Sequence, residues 1–301
     1  MIFLLKSFAN YGLKMYNFDM ESYKHEIITR NRQHFDLDFT IRFDLIEHTN
    51  FFSPYHWHNH IEILYVLSGR LELNIENSTY VLQKGCLAIV NSDMLHSTKL
   101  RGNVKHILFQ IPASSLNEIE PDADSYIYTQ FLSKDESGEL GSILLKMLEA
   151  EKSGREGSKI KFVSLMYELL YKMVTSYRIK SNFNEIPKSG RTAVNRLSPV
   201  ISFLEKNYKK EISLSHAASI ISVTPEHLCR LFKQYTNQTF TEYVLSLRIA
   251  SFYRDLRNTD DKLNVLLENN GIKNYKVFLR EFKKIFGVTP GKIRKTAATR
   301  N

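Results

Sequence analysis

The chain has 301 residues, 43% of them hydrophobic and 24% charged, which excludes a disordered or collagenous protein and gives room for two domains at roughly 100–200 residues each. Its two cysteines, Cys86 and Cys229, form no CxxC pair, so a disulfide framework is excluded and a reducing compartment is expected. The net charge of +9 is unevenly spread: residues 1–190 hold 21 Lys+Arg against 23 Asp+Glu, whereas residues 191–301 hold 20 against 9, a net of +11. A basic domain attached to a near-neutral one suits a polyanion partner, nucleic acid foremost.

The opening Met1-Ile2-Phe3-Leu4-Leu5 is apolar but stops at Lys6, too short for a signal-peptide core or a membrane span. No other stretch approaches about 18 uncharged apolar residues. A cytoplasmic protein is expected, with no membrane partner. Met15 and Met20 leave the start codon open, and residues 1–34 read as an N-terminal extension.

Residues from about 37 to 112 read as strands. Leu37–Phe43 alternates, Ile61–Leu67 is a β-rich run stopped by Ser68-Gly69, and Leu71–Ile75 alternates again. Asn77-Ser78 reads as a hairpin turn before Tyr80–Leu82, with further runs at Leu87–Val90 and His106–Ile111. Many short, closely spaced strands suit a sandwich or barrel. Beyond Pro112 the period changes. Ile143, Leu144, Met147 and Leu148, then Phe162, Leu165, Met166, Leu169, Leu170 and Met173, predict helices near 138–152 and 158–179. They are expected to pack on the sheet or to pair with a second subunit. The strands and helices make one domain over 35–180, followed by a polar linker at 181–197.

From Ser198 to the end everything reads helical. Ser198-Pro199 and Thr224-Pro225 are caps with proline at the first helical position, and Thr239–Glu242 is a capping box. Gly271 after Asn269-Asn270 is a helix stop. The predicted helices are 199–208, 214–221, 225–235, 240–256, 261–269, 275–285 and 290–296. This segment also repeats itself: Leu228–Lys233 matches Phe278–Lys283, and each copy follows a short helix and a tight turn. A short helix, a turn and a longer basic helix form a helix-turn-helix, here twice, at 214–235 and 263–285. Phe232 and Phe282 should be core. Base readers are expected among Glu226, Cys229 and Arg230 in the first copy and Asn274, Tyr275, Lys276 and Arg280 in the second. Lys233 and Lys283 should face outward toward the DNA rim.

Residues 198–296 resemble the DNA-binding domain of the AraC/XylS family of bacterial transcription regulators. The matching run includes Ile212-Ser213-Leu214, Ala217-Ala218, His227–Lys233, Phe240–Val244, Arg248-Ile249 and Glu281–Pro290. The resemblance implies double-stranded DNA as partner, with two recognition helices in successive major grooves. The second copy departs from the pattern at Leu267, Ile272 and Ile293, and the connecting helix at Phe252. Bulky Leu267 predicts a differently seated second motif.

Upstream, Pro54–Glu62 holds the densest set of possible ligands, with His56, His58 and His60 expected on one strand face. Together with Glu62, Gly69, Gly85 and His96 it resembles the two motifs of the cupin barrel, whose metal-binding members would use His56, His58, Glu62 and His96. Asn91 and Asp93 degrade the second motif, so a metal-free, ligand-binding pocket without cofactor is expected. Tyr55, Trp57 and Tyr65 would suit stacking on a sugar.

These observations predict an α+β multidomain chain: a cupin-like sensor barrel with helices and an all-α domain with two helix-turn-helix motifs. The expected function is sequence-specific transcription regulation under a small effector, by a homodimer that would contact RNA polymerase if an activator. The alternatives are a regulator whose first domain only dimerises and a metal-dependent cupin enzyme. No Gly-rich nucleotide loop, nucleophile elbow or HExxH motif is present, and no catalytic residue is assigned.

Overall fold

A computed structural model describes residues 41–123, 126–179 and 189–298. The N-terminal extension at 1–34, the first residues of the Leu37–Phe43 strand and linker residues 181–188 lie outside the described residues.

Among the described residues seven strands build the first domain: β1 Arg42–His56, β2 His60–Ser68, β3 Arg70–Ile75, β4 Ser78–Gln83, β5 Leu87–Val90, β6 His96–Pro112 and β7 Phe131–Leu132. They form a nearly closed barrel in the order β4-β3-β6-β2-β5-β7, with β1 on the other edge of β6. The long β6 pairs with β3 over Leu100 to His96 and with β2 from Lys105 to Pro112, while β1 runs antiparallel along it. β1 bends where the ladder slips between Thr49 and Phe51, at Asn50, and again between Ser53 and His56, across Pro54. A proline has no N–H to give a ladder, so it sits at such an interruption. The β3–β4 turn is at Glu76-Asn77, one residue before the predicted Asn77-Ser78.

Alternation assigns the two faces of the sheet. Ile46, Leu64, Val66, Leu71, Leu73, Val90, Leu100 and Leu108 pack together inside the barrel. Phe43, Ile61, Ile63, Ile89, Ile107 and Phe109 face outward beneath two helices. Helix α1 (Ala113–Ile119) follows β6; the covering pair is α2 (Gly138–Ser153) and α3 (Ser158–Lys172), the latter ending in a π turn at Met173–Tyr177. Leu140, Leu144, Met147, Leu165, Met166 and Leu169 are their buried stripes, as the helical spacing predicts.

The second domain is all helical: α4 Ser189–Asn207, α5 Leu214–Ser219, α6 Pro225–Thr236, α7 Phe240–Asn258, α8 Leu263–Asn269, α9 Tyr275–Phe286 and α10 Pro290–Ala298. α4 starts earlier than Ser198-Pro199 signals and carries Pro199 inside it. Leu197, Val200, Ile201 and Leu204 are buried along one face on either side of that proline, and this packing outweighs its local preference for a helix start.

The domains touch through β1. Tyr243 Oη of α7 donates to the Tyr55 carbonyl at 2.8 Å, and Tyr253 Oη donates to the Asn50 carbonyl at 2.5 Å. Tyr55 and Leu95 are buried in one cluster with Leu228, Phe232 and Tyr243, with Trp57 partly buried against it. Phe52 joins the cluster of Phe252, Phe278 and Phe282. Arg101 donates to the Lys284 carbonyl near the end of α9 at 2.9 Å.

Candidate nucleic-acid interface and barrel site

Each helix-turn-helix is fixed by its caps. Thr224 accepts from His227 N–H at 3.2 Å, with Pro225 opening α6, and Asn274 Oδ1 accepts from Val277 N–H at 3.1 Å to open α9. The capping box forms: Thr239 N–H donates to Glu242 at 2.7 Å and Glu242 N–H to Thr239 Oγ1 at 3.2 Å. It starts α7, the helix both motifs share. Tyr243, Val244 and Leu247 enter the first core with Phe232; Ile249, Phe252 and Leu256 enter the second with Phe278 and Phe282.

The two copies differ in their turns. The left-handed residue is Ser222 (φ 55°) in the first and Gly271 (φ 67°) in the second. Both turns span five residues, 220–224 and 270–274, but the left-handed residue is the third of the first turn and the second of the second. Ala218 is fully buried between its helices, whereas Leu267 is half-buried at the edge of the second core. Phe252, in place of the family's alanine, stacks edge-on against Phe278 at 4.8 Å.

On α6, Glu226, Arg230 and Lys233 are exposed and Cys229 is half-buried. Arg230 Nη2 lies 2.6 Å from His227 Nδ1, and Lys233 Nζ donates to the Asn237 carbonyl at 3.0 Å, at the far end of the helix. The backbone N–H at the helix start, then Thr224, hold the Glu226 carboxyl below its ordinary range. On α9, Asn274, Tyr275, Lys276, Arg280 and Lys283 are exposed. Arg280 pairs with Glu281 at 2.9 Å. His227 is a residue that sequence reasoning left out; its spacing of three from Arg230 on a helix is the signal that could have found it.

In the barrel, β1 ends at His56 and β2 begins at His60, so the three histidines do not share one strand face as expected. Residues 57–59 leave the ladder, and the Asp93 N–H bond to the His58 carbonyl pins the crossing. The chain instead gathers His56, His58 and His96: one ring nitrogen of each lies within 4.8 Å of the others. His56 and His96 face each other across the β1–β6 ladder, with ring centroids 4.2 Å apart. Nδ1 of His56, His58 and His96 lies 2.9, 3.1 and 2.9 Å from the carbonyls of Pro54, His60 and Met94. Glu62 Oε2 is 3.2 Å from His58 Nε2 and accepts from Gln110 Nε2 at 2.5 Å.

Burial, then the neighbouring His58, lowers His56 to about 4. Burial, then His56 and His58, puts His96 well below its ordinary value. Burial works against the charge of Glu62, but the His58 hydrogen bond and the adjacent imidazoles outweigh it and hold the carboxyl below the usual range. Arg42, paired with Asp44 at 2.6 Å, and His106 share the inward register with Glu62 and Gln110, so one end of the interior is polar. Sequence reasoning named Glu62 but missed Arg42, Asp44, His106 and Gln110, because the register that joins them spans distant strands.

The three aromatics expected to stack on a sugar are not gathered here. Tyr55 and Trp57 sit at the domain contact. Tyr65 lies outside the barrel under α2, where a Cβ on Gly141 would come within 2.7 Å of its ring.

A nearly closed barrel with one polar end is thus joined to two helix-turn-helix motifs that share α7. The family comparisons agree on both halves: residues 41–170 match the AraC-like ligand binding domain and residues 217–296 a helix-turn-helix domain. The chain belongs to the AraC family of transcription regulators. It is 22% identical over 249 residues to an HTH-type transcriptional regulator of Staphylococcus aureus, covering 81% of this chain but 33% of that protein. It is 22% identical over 236 residues to the Msm operon regulatory protein of Streptococcus mutans, covering 77% of this chain and 83% of the relative. Among solved structures, ToxT from Vibrio cholerae aligns with a TM-score of 0.47 at 12% identity, covering 84% of this chain and 97% of that one. No helix among the described residues is long and apolar enough to cross a membrane.

Proposed function

We propose that this regulator reads DNA with the exposed edges of α6 and α9 and is switched by a small effector in the polar end of its barrel. The single observation that carries the reading is the hanging of both helix-turn-helix motifs on α7, each with an exposed basic edge. Glu226, Cys229 and Arg230, and Asn274, Tyr275, Lys276 and Arg280, are the base-reading candidates; Lys233 and Lys283 serve phosphates. His56, His58, Glu62 and His96, with Gln110, form the effector-side cluster. The chain acts as a regulator and not as an enzyme, in the cytoplasm where its DNA is.

Dimerisation is assigned to the outer face of the helical pair. Ile160 and Tyr171 of α3 are 77% and 63% exposed, and Tyr167 of the same helix and Leu145 of α2 are exposed too. An activator would contact RNA polymerase while so dimerised. The test of DNA binding is its salt dependence: affinity should fall by about 10³–10⁵ between 50 and 200 mM salt if about 6–10 phosphates are contacted. Affinity that salt leaves unchanged would overturn the reading.

A further inference from the structure

We propose that residues 208–211, clamped by Arg248, form a wedge that sets the distance between the two recognition helices, and so the number of base pairs the protein accepts between its half-sites. Arg248 is then a positioning residue for DNA recognition. The proposal rests on the reading that α6 and α9 both enter DNA.

The two motifs are packed as separate units. Their cores share α7 but use different residues of it: Tyr243, Val244 and Leu247 in the first, Ile249, Phe252 and Leu256 in the second. Packed helices slide on one another by shear, so a shared helix alone does not fix how the two units tilt. The α4–α5 loop stands between them. On one side it belongs to the first motif: Tyr208 and Ile212 are half-buried against the first core, and Ser213 caps α5. On the other side it meets the second turn. Gly271 packs so closely that a Cβ there would collide with the Lys209 carbonyl oxygen, and Lys273 Nζ lies 2.8 Å from Glu211. The next residue, Asn274, caps α9. The loop therefore touches the second motif directly before its recognition helix.

Arg248 holds the loop in place. It lies on α7 between the residues that enter the two cores, and it is half-buried. Its Nε donates to the Tyr208 carbonyl at 2.7 Å and its Nη2 to the Lys210 carbonyl at 2.8 Å. One turn on, Ser251 Oγ accepts from Tyr208 Oη at 2.8 Å. A planar guanidinium serves two acceptors in a fixed fork, which an ammonium does not. The Lys273–Glu211 pair is exposed on both sides and adds little by itself, so the fork and the Gly271 contact carry the position. The consequence is geometric. One base pair added between half-sites moves the second by about 3.4 Å along the duplex and roughly 35° around it. Two motifs wedged on one helix do not follow that displacement, whereas motifs free to shear take up part of it.

The experiment measures the affinity of the full chain, at fixed salt, for duplexes carrying the site it selects from random DNA. The site is used unchanged or with one base pair added or removed between its half-sites. The wild-type protein should lose at least about tenfold when the spacing changes, as a lost base contact costs, and Arg248→Lys should lose about threefold or less. Tyr208→Phe keeps the ring, removes the bond to Ser251 and should relax spacing in the same direction. Lys233→Ala, assigned to a phosphate, should weaken binding at every spacing alike, which separates lost affinity from lost spacing. A folded Arg248→Lys protein that keeps the wild-type spacing preference would overturn the wedge; where circular dichroism shows that variant unfolded, the same result with Tyr208→Phe would do so. Equal loss at every spacing would also overturn it, as the mark of a merely structural residue. A wild-type protein indifferent to spacing would overturn the reading that both helices enter DNA.

Discussion

Gly271→Ala should destabilise the second helix-turn-helix while leaving the barrel folded. Gly271 has φ 67°, and a Cβ built there would stand 2.3 Å from the Lys209 carbonyl oxygen and 2.9 Å from its carbon. A left-handed conformation costs an L-residue roughly 1–2 kcal/mol. The contact is with backbone, so either the turn or the end of α4 must shift, adding about 1–3 kcal/mol of overpacking. The sum, roughly 2–5 kcal/mol, would lower the melting temperature of a domain of about 100 residues by 10 °C or more. Ser222 is the internal control: it is the left-handed residue of the first turn and is not a glycine, so Ser222→Gly should stabilise by about 1 kcal/mol or less. The assay is thermal unfolding of both full-length variants followed by far-UV circular dichroism at the helical signal. A Gly271→Ala protein within about 0.5 kcal/mol of wild type would refute the steric reasoning.

Arg230→Ala should cost about 1–3 kcal/mol and relax specificity at its own half of the site. Arg280→Ala should weaken binding evenly across sequences, because its guanidinium is paired with Glu281 and bulky Leu267 stands at the edge of the second core; binding-site selection at fixed salt with each variant decides between the two. Ile160→Glu with Tyr171→Glu should convert a dimer to a monomer in sedimentation equilibrium, and a dimer that persists would move the interface elsewhere. Acid should weaken the barrel: burial, then His48 and Arg42, lowers His106 to about 4 against Glu62, which acts the other way. The unfolded chain binds that proton at about 6.5, so this stability is present above pH 6.5 and is lost as pH falls toward 4, by roughly 3 kcal/mol at most. His106→Phe should flatten the urea midpoint over that pH window, and an unchanged slope would reject the assignment.

The helical domain was the legible part because its signals are local. Thr224-Pro225, the Thr239–Glu242 box and the helix stop at Gly271 each act within a few residues, and Phe232 and Phe282 repeat at a fixed offset. The barrel site was legible only in its residue types. His60 was grouped with His56 and His58 by a period of two that the break at residues 57–59 ends. Gln110 reaches Glu62 only through the β2–β6 register, which no local pattern specifies. Tyr55 and Trp57 read as pocket aromatics because their role at the domain contact depends on α7, far along the chain. Pro199 misplaced the start of α4 for the same reason: burial on both sides of it overrides a local rule.

Hydroxyl-radical footprinting of the full chain on a selected DNA site tests the central claim most directly. If α6 and α9 enter successive major grooves, two protected segments should lie on one face of the duplex, about 10–10.5 base pairs apart. Protection of a single segment, or of none that depends on sequence, would contradict the account.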